Sequence, residues 1–152
     1  MQASLDLADS GFKVYLVDKK PTIGGVMAQL DKTFPTLDCS MCIMAPKLVT
    51  TGRHHNITLL TNADITDVEG EPGNFTVTVR VRPRYVNAEK CTGCGICAEN
   101  CLVEAVSAYD EGLTPRSVIY VDYPQAVPLV FVIDREKCIG CGLCESFCQA
   151  DA

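Results

Sequence analysis

Eight of the ten cysteines in this 152-residue chain fall into two runs of one spacing. Cys91, Cys94, Cys97 and Cys101 form the first, and Cys138, Cys141, Cys144 and Cys148 form the second. Each run reads C-x2-C-x2-C-x3-C, an internal repeat of one site. A cubane cluster has four iron corners, and each takes one thiolate. Three cysteines at three-residue spacing let one loop reach three corners, and two such runs are the signature of a protein carrying two [4Fe–4S] clusters. In two-cluster ferredoxins the fourth cysteine of each run ligates the other cluster. On that rule Cys91, Cys94, Cys97 and Cys148 hold one cluster, and Cys138, Cys141, Cys144 and Cys101 hold the second. Gly93, Gly95, Gly140 and Gly142 permit tight loops and bring backbone N–H groups toward the sulfurs. Zinc sites instead pair two C-x2-C knuckles across a longer gap. One departure is visible: Leu102 and Gln149 stand where proline usually follows the fourth cysteine. The change alters the local turn and removes no ligand.

Cys39 and Cys42 form a separate C-x2-C pair. They are expected just before or at a helix N-terminus, where exposed N–H groups stabilise a thiolate. Three readings stand side by side: a redox-active dithiol, half of a metal site completed elsewhere, or two buried inert thiols. The apolar neighbours Met41, Ile43 and Met44 favour burial.

The elements that must position these groups follow from periodicity and breakers. Met1 to Ser10 reads as a helix with Ala3, Leu7 and Ala8 on its apolar stripe and Leu5 near the edge; Gly11 stops it. Phe12 to Val17 reads as a buried parallel strand closed by Asp18. Helix, glycine, strand and terminal acid match the later half of a dinucleotide-binding βαβ unit, whose acid hydrogen-bonds a ribose hydroxyl. Asp18 is equally a charged residue that ends a strand. No residues match the first strand and G-x-G-x-x-G loop of such a unit, so the chain is expected to be part of a longer protein. Gly24 and Gly25 let backbone approach a ligand closely, or simply make a turn. A short helix is expected over Val26 to Thr33, and a second from Pro46 to the His54–His55 pair, to which no chemistry is assigned. Asn56 to Thr61 reads as a strand. Asp64 to Glu69 and Asn74 to Arg82 read as a half-exposed hairpin around a four-residue loop, Gly70 to Gly73. A domain boundary is expected near Val86, separating 1–86 from 87–152. Between the cysteine runs, Leu102 to Ala108 is expected as a helix. Ser117 to Val121 and Leu129 to Ile133 are expected as strands, with Val118, Ile119, Val130 and Val132 serving packing.

Composition narrows the partners. The net charge of −6 argues against nucleic acid. No run of 18 apolar residues exists, so no membrane span is expected. The first ten residues lack the basic start of a signal peptide. With metal-type cysteine spacing, that points to a reducing, cytoplasmic setting.

Several stretches together resemble the A subunit of heterodisulfide reductase, the flavin and iron–sulfur component of that enzyme in methanogens and related anaerobes. They are Gly11 to Asp18, Ile23 to Gly25, Met27 to Cys42, Pro46-Lys47, Tyr123 to Pro128, Ile133 to Cys138, and the two cysteine runs. The resemblance covers nearly the whole chain and is most specific over Leu30 to Cys42. It implies an α+β chain. A partial FAD-binding α/β segment, Rossmann-type and like thioredoxin reductase, is followed by a two-cluster bacterial-type ferredoxin module inserted into it. It implies FAD in the full-length protein beside two [4Fe–4S] clusters, with Asp18 as the ribose-binding acid and Gly24 and Gly25 beside the flavin. It further implies an electron-carrying part of an oxidoreductase in which FAD bifurcates electron pairs. The heterodisulfide itself is reduced on a different component of the complex. Partners would be the other subunits of such a complex and a redox donor such as a hydrogenase or dehydrogenase. The role of Cys39 and Cys42 stays open; one alternative is a thiol–disulfide oxidoreductase.

Overall fold

The computed structural model describes every residue from Met1 to Ala152 and divides into two units, Met1–Pro83 and Arg84–Ala152. The division falls at Pro83, three residues before the expected boundary.

In the first unit, α1 (Gln2–Asp9) ends at Gly11, whose φ of +90° suits glycine alone. The N–H groups of Gly11 and Phe12 close the helix on the carbonyls of Ala8 and Leu7. Its buried face is Ser4, Leu5 and Ala8, while Leu7 is half-exposed and Ala3 exposed. The apolar stripe of the sequence therefore lies about one position off the face that packs. β1 (Val14–Asp18) pairs in parallel with β2 (Ile57–Thr61), Val14 opposite Ile57 through Asp18 opposite Thr61. Leu5, Ala8 and Ile57 form a buried cluster against Val14, Leu16 and Leu59. These two strands make a sheet of their own, so Tyr15 points to solvent and β1 is not buried on both faces.

The expected helix over Val26 to Thr33 is a shorter 3-10 turn, Gly25–Gln29, which gives way to extended backbone at Leu30. The long helix α2 spans Ser40–Arg53, starting six residues before the expected Pro46. Cys39 is its N-cap, in extended conformation, and its Sγ accepts the N–H of Cys42 at 3.2 Å. A disulfide sulfur thus takes the place of the usual capping oxygen. Pro46 sits inside the helix and has no N–H to return to the carbonyl of Cys42. Ser40, Met44, Leu48 and Thr51 are buried along one face at helical spacing. At the far end His54 caps the helix, stacks on His55, and meets Asp9 Oδ1 through Nε2 at 3.2 Å.

β3 (Ala63–Glu71) and β4 (Asn74–Val81) make an antiparallel hairpin. Glu71 pairs with Asn74, so the loop is Pro72 and Gly73 rather than four residues. Pairing sets Ala63, Ile65, Val68, Phe75, Val77, Val79 and Val81 on one face. The half-burial expected for that face does not occur in this chain: Ile65, Val68, Phe75, Val77 and Val81 are all exposed.

In the second unit, residues 102–108 are not helical. Glu104–Val106 forms β5, antiparallel to β6 (Pro115–Ser117), because Glu104, Ala105 and Val106 find partners in Ser117, Arg116 and Pro115. β7 (Ile119–Tyr120) pairs with β8 (Val132–Ile133). Both are shorter than the expected strands. Val118, Ile119, Val130 and Val132 are buried as expected, together with Tyr123, Ala126 and Phe131. Arg116 lies over the Tyr120 ring, 3.4 Å from its centroid, and its Nη2 is 3.4 Å from Asp134 Oδ2. No helix is long and apolar enough to cross a membrane.

Candidate iron–sulfur site

The two cysteine runs fold alike because their glycines do. Gly93 and Gly140, the third residue of each run, have φ of +70° and +71°. Gly95 and Gly142 adopt the left-handed conformation as N-caps of two one-turn helices, α3 (Ile96–Glu99) and α4 (Leu143–Ser146). Each run is therefore a loop turned twice by glycine, then a helical turn that carries the third cysteine. Only residues without a Cβ reach these angles at little cost.

All eight cysteines of the runs border one cavity of about 740 Å³ within the second unit. Val118, Ile119, Phe131 and Ile133 supply part of its apolar wall. None of the eight is in a disulfide. Within each run the first three thiols stand close enough to influence one another. Burial pushes the Cys97 thiol up to about 11, and the Cys91 and Cys94 thiols add to the shift against the pull of the Ala98 N–H. Burial likewise raises Cys144, with Cys138 and Cys141 contributing in the same sense. Cys148 moves the other way, because the N–H groups of Ala152 and Ala150 hydrogen-bond its sulfur. At the first run, burial lowers the pKa of the Arg84 guanidinium, opposed by Asp122, Tyr120 and Cys91. Arg84 Nη1 also donates to Val130 O at 3.3 Å.

The donor set fits iron–sulfur clusters. It is all thiol, it lines one apolar-walled space, and its half-buried members Cys97 and Cys144 resist ionisation unless cationic iron compensates. Lys90, next to Cys91, ties this unit together at its ends: its Nζ donates to Asp151 O at 2.9 Å and meets Asp151 Oδ2 at 3.2 Å. No motif signals this tie, since a lysine and an aspartate so far apart in sequence form no pattern.

The remaining candidates lie in the first unit. Cys39 and Cys42 are joined as a disulfide with Cα atoms 5.2 Å apart, and both residues are exposed. The buried reading of this pair is thereby corrected: Met44 beneath it takes the interior position, while Ile43 is exposed with the cysteines. Asp18 closes β1, and its Oδ1 accepts the N–H of Lys20 at 2.9 Å. Gly24 and Gly25 have φ of +136° and +60°, and Thr22 and Ile23 before them are buried.

The family described as the 4Fe-4S dicluster domain matches residues 75–152. The chain is 58% identical over 134 residues to the first of two CoB–CoM heterodisulfide reductase iron-sulfur A subunits of Methanopyrus kandleri, a match that covers 88% of this chain and 20% of that protein. It is 53% identical over 152 residues to the A subunit of the H(2):CoB-CoM heterodisulfide,ferredoxin reductase of Methanothermobacter marburgensis, covering 100% of this chain and 23% of that protein. Against the A subunit of the ferredoxin:CoB-CoM heterodisulfide reductase of Methanosarcina mazei the identity is 44% over 153 residues, covering 100% of this chain and 19% of that protein. The chain spans about a fifth of the length of these relatives. With all eight run cysteines inside the matched residues, the chain belongs to the 4Fe-4S dicluster domain family and matches a segment of the heterodisulfide reductase A subunit.

Proposed function

We propose that the second unit carries electrons through two [4Fe–4S] clusters inside a longer, FAD-containing, heterodisulfide reductase A-like protein. The observation that carries this reading is the single cavity bordered by all eight cysteines of the two runs. Cys91, Cys94 and Cys97 hold three corners of one cluster and Cys148 the fourth. Cys138, Cys141 and Cys144 hold three corners of the other and Cys101 the fourth. When bound, each cluster supplies a one-electron acceptor and donor. The chain's own part is to fix the thiolates, to keep water from the inner side of the loops, and to set the local charge. Metal analysis under anaerobic conditions tests the reading. About eight irons and eight sulfides per chain are expected; zinc without sulfide would end it.

In the longer protein Asp18, Gly24 and Gly25 contribute to the FAD site, and electron pairs divided at the flavin enter the clusters singly. Other subunits of a reductase complex and a hydrogenase- or dehydrogenase-type donor are its partners, in the cytoplasm. The support is the match to components of heterodisulfide reductases across methanogens. This reading assigns FAD binding to the longer protein. Flavin should be absent from this chain purified alone and present in a version that includes a preceding strand and glycine loop.

A second reading concerns Cys39 and Cys42, favoured by their pairing and exposure at the start of α2. As a dithiol the pair gives up two electrons and two protons to form the disulfide; an external dithiol returns them. The N–H of Cys42 donates to Cys39 Sγ at 3.2 Å, which fixes that sulfur at the start of the helix. Replacing both cysteines by serine is expected to abolish exchange with a small disulfide and to leave iron content and cluster absorption unchanged. Exchange that persists removes this reading. Loss of iron instead makes the pair part of a metal site.

A further inference from the structure

The two cysteine loops share a backbone and differ in what covers them. A Cβ built on Gly93 would lie 2.7 Å from Leu129 Cγ, 2.9 Å from its Cδ2 and 3.1 Å from its carbonyl oxygen. The same construction on Gly140, at the equivalent place in the second loop, meets nothing within 4 Å. Leu129 thus presses its side chain and its backbone onto the outer surface of the first loop. The second loop has no such contact, and Gly140 is exposed where Gly93 is half-buried; at the flanking positions the loops are alike, with Thr92 and Cys94 exposed in the first and Ile139 and Cys141 exposed in the second. Leu129 is held there by its neighbours, since Val130 and Phe131 are buried and the Val130 carbonyl accepts from Arg84.

Reducing a cluster adds negative charge. Water and free dipoles near the thiolates stabilise that charge, and an apolar cover removes them. We infer that Leu129 is a positioning residue that sets the reduction potential of the cluster held by Cys91, Cys94 and Cys97. It does so by excluding water from the backbone at Gly93, between the first two of these cysteines, which makes the two sites inequivalent. The inference rests on the two-cluster reading above. It adds that the sites differ, and it names the side chain responsible. The methyl groups of Leu129 act on the loop, not on iron; no bond to the cluster is involved.

Redox titration of the iron-loaded chain, followed by electron paramagnetic resonance, tests it. The wild type should reduce in two resolved steps. Leu129→Ser should move one step to higher potential and leave the other in place. The step that moves should be the one that survives in Cys141→Ala, which removes a second-loop ligand. Leu129→Met, which keeps an apolar cover, should return the step toward its wild-type position. Where Leu129→Ser loses its iron, Leu129→Ala gives the same comparison with less polarity. A single unresolved step in the wild type overturns the inference. So do two unmoved steps in the Leu129 variants, or movement of the step lost in Cys141→Ala. Iron and sulfide are measured on each sample. Full cluster content with unmoved potentials rejects the role of Leu129 alone, whereas absent clusters reject the parent reading.

Discussion

Cys101→Ala is expected to damage the cluster of the second run while its own run stays loaded. If each fourth cysteine serves the opposite cluster, Cys101 completes the set of Cys138, Cys141 and Cys144. Removing it leaves one iron corner without a thiolate. Iron should fall by about one per chain if only that corner is lost, and by about four if the cubane is lost. The pairing can be read by combination. Cys101→Ala and Cys141→Ala should give the same spectral loss, and the double variant should add little to either, because both act on one cluster. Cys101→Ala with Cys94→Ala should strip both clusters. If Cys101→Ala instead overlaps with Cys94→Ala, each run is self-contained and the crossing is wrong. Geometry gives this test its force. All eight run cysteines border one cavity, so each fourth cysteine faces the same space as both sets of three.

Gly93→Ala and Gly140→Ala are expected to differ sharply although the two glycines occupy equivalent places. Both have φ near +70°, so an alanine at either pays the left-handed penalty, on the order of 1–2 kcal/mol. Only at Gly93 does the new methyl also collide with Leu129. The Leu129 side chain can shift, but its carbonyl oxygen belongs to the backbone that leads into β8. Overpacking of this kind costs about 1–3 kcal/mol more. Gly140→Ala should therefore lower the stability of the loaded unit by roughly 1–2 kcal/mol, and Gly93→Ala by roughly 2–5 kcal/mol in total. Where unfolding is irreversible, the rate of cluster bleaching on heating orders the variants. Equal effects would mean that Leu129 yields freely and does not grip the loop.

The site was more legible than the frame around it. Both runs and their glycines could be read directly, because a multidentate inorganic ligand leaves a fixed spacing in the chain. The strand closed by Asp18, the Gly11 stop and the hairpin were legible for a similar reason: each is governed by local periodicity or a breaker. What escaped depended on partners distant in sequence or on unusual caps. Helix α2 begins at Ser40 because Cys39 serves as its cap, a role the usual capping residues do not suggest. Proline at position 46 looked like a start and is an interior residue. Glu104 to Val106 have helix-compatible composition, but pairing with Pro115 to Ser117 overrides it. The apolar residues of the hairpin share one face, yet alternation reports which residues face together, not whether anything covers them. Leu129 gave no signal at all, since one leucine between prolines and valines reads as ordinary packing.

The Lys90–Asp151 tie has a practical corollary. It sets the residue that enters the first cysteine loop beside one that leaves the second. A body whose entry and exit touch can be spliced into a surface turn of a host protein with little strain on that host. The same adjacency suits circular permutation. A short Gly-Ser bridge could join these ends, and new termini could open at the exposed turn Glu111–Gly112 between β5 and β6. The result would be a portable electron relay whose ligand loops keep their order in space while losing it in sequence.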